Sequence, residues 1–161
     1  NITVHQGDMA DLVALPDAPF DLIWCAGALY FLGIEDGLKA FGGALAPGGL
    51  VAFSEPCFFT DTPSDAARAF WEGYKTGPAE TILNRVAQTG YEVLDHRKVS
   101  DAGWEAYYQP MEARIAELRA GADKALSEML DLCEAEARDW RKIRDETGYL
   151  LVVVRKPVVT P

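Results

Sequence analysis

The chain has 161 residues, of which 49% are apolar and 25% charged, with a formal net charge of -10 and a sequence pI near 4.6. This length and composition predict a single domain over residues 1–161, with enough apolar material for a real core. The negative charge argues against nucleic acid and anionic membrane as partners, because both would repel the chain. The charge favours a small-molecule partner over these polyanions. The oligomeric state considered is a homodimer.

The cysteine and histidine content limits metal and redox chemistry. Three cysteines without CxxC spacing disfavour a disulfide framework and a zinc site, and two histidines are too few for a histidine-rich site, so no metal is expected. The longest apolar runs are too short to cross a bilayer, and no basic-then-apolar leader opens the chain. These features predict a cytoplasmic location.

The chain begins in what reads as a strand. Ile2–Gln6 alternates β-branched and polar residues and ends at Gly7-Asp8. A native start rarely falls inside a strand, so we expect the carboxyl-terminal part of a longer polypeptide. Phe20–Trp24 then predicts a short strand that is covered on both faces.

Helices and strands alternate after this point. A helix with acidic residues in its first turn ends at Pro47-Gly48-Gly49, which leads into a strand over Leu50–Phe53. Thr62-Pro63-Ser64-Asp65 predicts a second helix with proline at its first helical position. A third helix begins near Pro78 and is closed by Gly90.

The remaining third of the chain is mainly helical. Tyr91–Val99 predicts a strand, and helical spacing follows over Pro110–Leu118 and Asp123–Arg144. Gly148 is expected to stop the last helix before a buried strand over Tyr149–Val154. Because two adjoining antiparallel strands need only a short turn, the residues between these strands predict an inserted helical cap over 100–147.

This succession of elements predicts an open α/β sheet with helices on both faces. In such sheets ligands bind beyond the carboxyl ends of strands, near the point where strand order reverses. The ends predicted here carry small or polar residues: Gly7-Asp8, Cys25-Ala26-Gly27 and Ser54-Glu55.

Asp8 is the sharpest functional candidate. A carboxylate beyond a strand can accept the hydrogen bonds of an adenine amino group, while the Met9 backbone reads the ring edge; the alternative is a solvated loop acid or a helix cap. At Gly27 a ligand could approach the backbone closely, or the glycine could simply make a turn. Cys25 could line the same cleft, or be a buried inert thiol.

A second group of residues consists of candidates for contact with the substrate. Glu55, just past its strand, could act as a base or orienting acceptor, although a surface carboxylate explains it equally well. Trp104, Tyr107 and Tyr108 form an aromatic cluster that could cap the cleft and hold an acceptor. Burial of the added helices against the sheet accounts for these rings equally well.

Several segments together resemble bacterial class I S-adenosylmethionine-dependent methyltransferases of the type 11 or type 25 domain kind. The resemblance is carried by His5-Gln6-Gly7-Asp8-Met9, by Phe20-Asp21-Leu22-Ile23-Trp24-Cys25-Ala26-Gly27 with Ala28-Leu29-Tyr30, by Leu45-Ala46-Pro47-Gly48-Gly49, and by Trp104 with Tyr108 and Pro110. It implies a Rossmann-like doubly wound sheet of strand order 3-2-1-4-5-7-6 with the last strand antiparallel. This chain would supply strands three to seven, leaving the sheet incomplete at its amino-terminal side.

The resemblance also implies S-adenosylmethionine as cofactor and methyl transfer to a small-molecule acceptor. It places the cofactor at Asp8, Met9, Cys25, Ala26 and Gly27. The acceptor would lie against Tyr30, Trp104, Tyr107 and Tyr108.

Two departures from the family pattern bear on function. Relatives often carry Ser-Glu where Cys25-Ala26 stand here, and the glycine-rich loop that binds the cofactor is not in this sequence. Because a sulfonium already carries an activated methyl group, little general-base machinery is required, and Glu55 is the candidate catalytic residue. The alternatives are a non-catalytic methyltransferase-like module that serves assembly, or another Rossmann-type enzyme such as a nicotinamide dehydrogenase.

Overall fold

The computed structural model describes residues 2–157 of the chain. Its five helices are α1 Ile34–Ala44, α2 Asp65–Phe70, α3 Ala79–Gln88, α4 Asp101–Arg119 and α5 Lys124–Ile143. Its strands are β1 Phe20–Ala26, β2 Leu45–Phe58, β3 Gly77–Pro78, β4 Glu92–Lys98 and β5 Thr147–Arg155, with 3-10 helices at Met9–Ala14 and Leu29–Phe31. No helix within residues 2–157 combines the length and hydropathy that a membrane crossing requires.

The strands form one mixed sheet in the order β1-β2-β5-β4, and the short β3 pairs with the end of β2. β1 runs parallel to β2, whereas β5 runs antiparallel to both β2 and β4. This is the order expected for the fourth, fifth, seventh and sixth strands of a class I methyltransferase, with the seventh antiparallel. The predicted α/β fold class is therefore confirmed.

Helices α1 and α3 cover one face of the sheet. Their buried side chains, among them Leu38, Phe41 and Val86, pack against Phe53 and Val152 of the central strands. Apolar residues spaced at three and four positions place these side chains on one stripe of each helix. This aliphatic core fixes β1 and β2 side by side, so that their carboxyl ends open at the same edge.

The strand predicted over Ile2–Gln6 is not formed: this segment has no regular secondary structure and its side chains are exposed. In the expected strand order the third strand pairs with the second, not with the fourth. No such neighbour lies within residues 2–157. Despite its alternation of residue types, the backbone of Ile2–Gln6 therefore has no described strand with which to form hydrogen bonds.

The prediction that the strand at Phe20–Trp24 is covered on both faces is also wrong. Ile23 and Cys25 are buried under α1, but Leu22 is exposed and Trp24 is 64% exposed on the opposite face. In the part of the chain that the structure describes, no strand pairs with the free edge of β1. Both faces of β1 carry apolar side chains, but described elements cover only one of the two faces.

Three helix boundaries differ from prediction. Ser64 rather than Thr62 caps α2, accepting a hydrogen bond from the backbone N–H of Ala67 at 3.2 Å, so Pro63 precedes the helix. Pro110 lies inside α4, which begins after the cap residue Ser100. Gly148 does not stop a helix, because α5 ends earlier, at Ile143. Gly148 instead lies in β5, where it pairs with β2.

Candidate functional site

A cleft of about 690 Å³ opens at the carboxyl ends of β1 and β2. Its floor is formed by Ala26 and Gly27, at the end of β1, and by Ser54 of β2. The Ser54 hydroxyl accepts a hydrogen bond from the Gly27 backbone N–H at 2.8 Å and so joins the turn after β1 to β2. Gly27 has φ +62°, a conformation that other residues rarely adopt, so a side chain there would strain the turn.

Aromatic side chains from three elements form the walls of the cleft. They come from α2 and the turn after it, from α4, and from β5: Phe70, Trp71, Tyr74, Trp104, Tyr107 and Tyr149. The Trp104 ring stacks on Tyr149 with centroids 5.2 Å apart, and on Trp140 with centroids 5.1 Å apart. These contacts hold one wall in place by ring packing.

A buried hydrogen-bond chain anchors the opposite wall to the sheet. The Trp71 indole N–H donates to the Thr147 hydroxyl at 2.6 Å, and that hydroxyl donates to the Cys57 carbonyl at 2.7 Å. Thr147 is fully buried at the first position of β5. The segment after α2 is thereby fixed to β2 and β5, which closes the cleft on that side.

Helix α5 supplies the mouth of the cleft with Leu132, Glu136 and Asp139. The Tyr108 hydroxyl donates a hydrogen bond to Glu136 at 3.1 Å, and Asp139 accepts one from the Lys142 ammonium at 2.6 Å. No lysine or arginine is among the described residues that line the cleft. Its lining therefore combines aromatic rings with carboxylates.

A second pocket of about 460 Å³ shares Tyr74 with the cleft and is lined by polar side chains, among them Tyr30, Glu55, Lys75 and Arg85. Glu55 is 6% exposed, and its Oε1 has no hydrogen-bond partner. Burial raises the pKa of Glu55 to about 7, although the positive charge of Arg85 acts in the opposite direction. Arg85 is itself paired with Glu35, its Nε donating to Oε1 at 2.7 Å.

The structure places four of the predicted site residues at the cleft: Ala26, Gly27, Trp104 and Tyr107. Tyr30 and Glu55 line the second pocket instead. The predicted site residues at the end of β1, in β2 and in the segment after β1 therefore divide between two openings.

Two other predicted residues are buried away from the cleft surface. Tyr108 is fully buried behind the wall, in the cluster that packs α4 against α5. Cys25 lies in the aliphatic core, where burial and then the charge of Glu55 raise the pKa of its thiol. This agrees with an inert structural thiol.

Asp8 and Met9 line neither the cleft nor the second pocket. Asp8 is exposed and caps the 3-10 helix Met9–Ala14, its Oδ1 accepting a hydrogen bond from the Ala10 backbone N–H at 2.8 Å. Met9 is partly buried against the aliphatic core. The capping alternative is thus the contact observed, and a cofactor role for Asp8 stays a prediction.

Sequence reasoning did not assign a site role to several residues of the cleft: Ser54, Phe70, Trp71, Tyr74, Leu132, Glu136, Asp139 and Tyr149. Ser54 carries a signal because it sits at the end of a predicted strand, and the aromatic residues Trp71 and Tyr74 fit either a cleft or the core, with core packing favoured. The others reach the cleft through contacts between distant elements. Within the described residues, no group of three or more His, Cys, Asp or Glu side chains is arranged to hold a metal ion.

A scan of the sequence against protein-family models gives no match, and a search of curated proteins gives none. Solved structures do match. An S-adenosylmethionine-dependent methyltransferase from Geobacter sulfurreducens, in complex with S-adenosyl-L-homocysteine, has a TM-score of 0.75 at 20% identity over 96% of this chain and 64% of that one. A methyltransferase from Thiobacillus denitrificans, in complex with the same molecule, has a TM-score of 0.72 at 18% identity over 93% of this chain and 62% of that one.

A more distant neighbour carries a substrate name. The phosphoethanolamine N-methyltransferase 2 of Haemonchus contortus, in complex with phosphomonomethylethanolamine and S-adenosylhomocysteine, has a TM-score of 0.66 at 15% identity, over 88% of this chain and 34% of that one. These likenesses show a common fold. The chain spans slightly under two thirds of the length of the Geobacter and Thiobacillus proteins.

Proposed function

We propose, from the class I S-adenosylmethionine-dependent methyltransferase fold of this chain, that the protein transfers a methyl group from S-adenosylmethionine to a small-molecule acceptor. The observation that carries the proposal is the position of the cleft. It opens at the carboxyl ends of two parallel strands, which is where open α/β sheets bind ligands. The structural neighbours from Geobacter and Thiobacillus are complexes with S-adenosyl-L-homocysteine.

The floor of the cleft fits the methyl-donor end of this cofactor. Ala26 and Gly27 present little side chain, and Ser54 holds the Gly27 turn in place. When bound, the cofactor supplies an activated methyl group on a sulfonium. The chain's own contribution is to fix the acceptor in line and to exclude water, for which the aromatic walls are suited.

Glu55 is the candidate residue for proton transfer. It faces the second pocket, and only Tyr74 is common to the linings of the two openings. A carboxyl with a pKa of about 7 can accept or donate a proton near neutral pH. A single domain over residues 1–161, a homodimer, a bacterial origin and a cytoplasmic location also stay predictions from the sequence.

Calorimetric titration with S-adenosylhomocysteine tests the proposal. We expect the protein as it is encoded in full to bind one equivalent, and the 161-residue chain is titrated in parallel to locate the binding determinants. Absence of binding by the full protein would defeat the enzyme proposal and favour the assembly module. Binding of NADH in place of S-adenosylhomocysteine would instead favour a nicotinamide enzyme.

Asp8 can be tested in the same titration. If Asp8 accepts hydrogen bonds from the cofactor, Asp8→Ala weakens binding of S-adenosylhomocysteine by about 1 to 3 kcal/mol through the lost acceptor. Asp8→Ser is the matched variant, because serine retains a capping oxygen but reaches less far. Equal weakening in both variants supports a ligand contact, and an unchanged dissociation constant in Asp8→Ala removes Asp8 from the site.

A further inference from the structure

We infer that the acceptor held in the aromatic cleft is an organic amine that the protein recognises in its cationic form. The inference rests on the proposed function and adds the chemical class of the substrate. It is carried by the combination of ring surfaces with unbalanced negative charge in one cavity at the reaction end of the sheet.

One carboxylate of the cleft lining, that of Glu136, has no cationic partner among the described residues. Glu136 takes part in none of the ion pairs found among the described residues, and it accepts a hydrogen bond from the neutral Tyr108 hydroxyl. Asp139 is paired with Lys142 and Arg138, neither of which lines the cleft. A ligand carboxylate or phosphate would therefore meet like charge, whereas an ammonium would be attracted.

The lining of the cleft offers ring surface to such a cation. Six aromatic side chains border the cavity, and two of them are exposed: Tyr107 is 58% exposed and Tyr74 is 46% exposed. Aromatic faces attract alkylammonium groups electrostatically, and more strongly when the group is desolvated. A purely apolar acceptor would use the rings but would gain nothing from the carboxylates.

The adjacent pocket provides a contrast within the same molecule. It contains Lys75, which is in none of the ion pairs among the described residues, together with Glu55 and with Arg85, whose charge is balanced by Glu35. An acidic acceptor would be placed more favourably there. Of the two openings, only the cleft has no lysine or arginine in its described lining, which favours the cleft as the site for a cation.

Methyl transfer to an amine is balanced without a further reagent. The ammonium first loses a proton to water at the open mouth, which frees the nitrogen lone pair. That lone pair forms the N–C bond while the C–S bond of the sulfonium breaks and its electron pair stays on sulfur. The products are a methylated ammonium, uncharged thioether and one released proton.

The test compares two probes of the same shape. Choline carries a quaternary ammonium, whereas 3,3-dimethyl-1-butanol replaces it with an uncharged tert-butyl group. Both are titrated into the full encoded protein saturated with S-adenosylhomocysteine. We expect choline to bind about tenfold more tightly, as a desolvated cation–π contact with nearby carboxylates predicts. Equal affinity, tighter binding of the alcohol, or no choline binding up to about 10 mM would overturn the inference.

Variants at the exposed wall and mouth identify the groups responsible. Tyr107→Leu should weaken choline binding severalfold while Tyr107→Phe, which keeps the ring, should not. Glu136→Gln should weaken choline but not the alcohol, and Glu128→Gln on the same helix is the matched control, because Glu128 does not line the cleft. Loss of choline affinity in Glu128→Gln equal to that in Glu136→Gln would reduce the effect to general surface charge and contradict the inference.

The same samples separate this inference from the proposed function. If S-adenosylhomocysteine binds but the two probes do not differ, the amine class is wrong and methyl transfer stands. If S-adenosylhomocysteine does not bind to the full protein, the proposed function itself fails.

Discussion

The two buried clusters of this molecule are built from different residues and serve different purposes. The cluster under α1 and α3 is largely aliphatic and packs onto one face of the sheet. The cluster at the carboxyl ends of the strands is largely aromatic and joins α2, α4, α5 and the ends of β2 and β5. The first holds the strands in register, whereas the second encloses a cavity.

The difference separates residues that stabilise the sheet from residues that border the cavity. Aliphatic side chains fill space without polar atoms, so the first cluster needs only the correct volume. The aromatic cluster contains indole and phenol groups that require partners, as the link from Trp71 through Thr147 to Cys57 illustrates. Changes in the first cluster should therefore affect stability, and changes around the cavity should affect ligand choice.

The largest effect is expected from the aliphatic core. Phe41→Ala should lower the free energy of unfolding by about 3 to 5 kcal/mol, because Phe41 is 1% exposed and leaves a cavity. The control is Phe31→Ala, a change at a ring that is 72% exposed, with an expected cost under about 1 kcal/mol. Urea denaturation measures both. Similar costs for the two variants would contradict the assignment of the core.

The second prediction concerns Glu55, a buried residue of β2 that lines the second pocket. Its folded-state pKa of about 7 lies above its ordinary value of 4.5, so the folded state retains a proton that the unfolded state releases. The free energy of unfolding should fall as pH rises between these values and stay lower above pH 7. Glu55→Gln should remove this dependence and be more stable than the parent at pH 8 by up to roughly 3 kcal/mol.

The control for Glu55 is Glu72→Gln, at an exposed position after α2. Urea denaturation from pH 4 to pH 8 compares the three proteins. A parallel pH dependence in the parent and Glu55→Gln would show that the Glu55 carboxyl is not the group responsible.

The smallest effect tests the hydrogen-bond chain of the aromatic cluster. Thr147→Val keeps the side-chain volume but leaves the Trp71 indole N–H and the Cys57 carbonyl without their buried partner. We expect a loss of about 2 kcal/mol in the free energy of unfolding. Thr62→Val, at an exposed position, should change it by less than about 0.5 kcal/mol. A neutral Thr147→Val would mean that the chain of bonds does not fix this wall.

Local patterns identified most of the scaffold. A strand was predicted over Tyr91–Val99 and, from helical spacing, a helix over Asp123–Arg144, and both are formed at those places. The strand over Ile2–Gln6 failed because alternation specifies a face but supplies no neighbouring strand. The start of α4 was predicted at Pro110. The helix instead begins after its cap residue Ser100, and Pro110 lies inside it.

Only part of the candidate site could be predicted from local sequence patterns. Gly27 and Ala26 could be found because the ends of parallel strands meet at one edge. Leu132 and Glu136 could not, since both belong to α5, whose position depends on packing with residues far along the chain. Glu55 was expected at the acceptor pocket, but the alternation of side chains along β2 sends it and Ser54 to different openings.

The sequence by itself determined the alternation of helices and strands, the resemblance that predicts their order, and the small residues at the strand ends. These properties depend on neighbours within a few positions, where backbone geometry and side-chain period act directly. Only the tertiary structure decided which aromatic rings and carboxylates enclose the cleft, because α2, α4 and α5 meet there through contacts between residues that are remote in sequence. The charge that lines the cleft is thus a property of the packed chain.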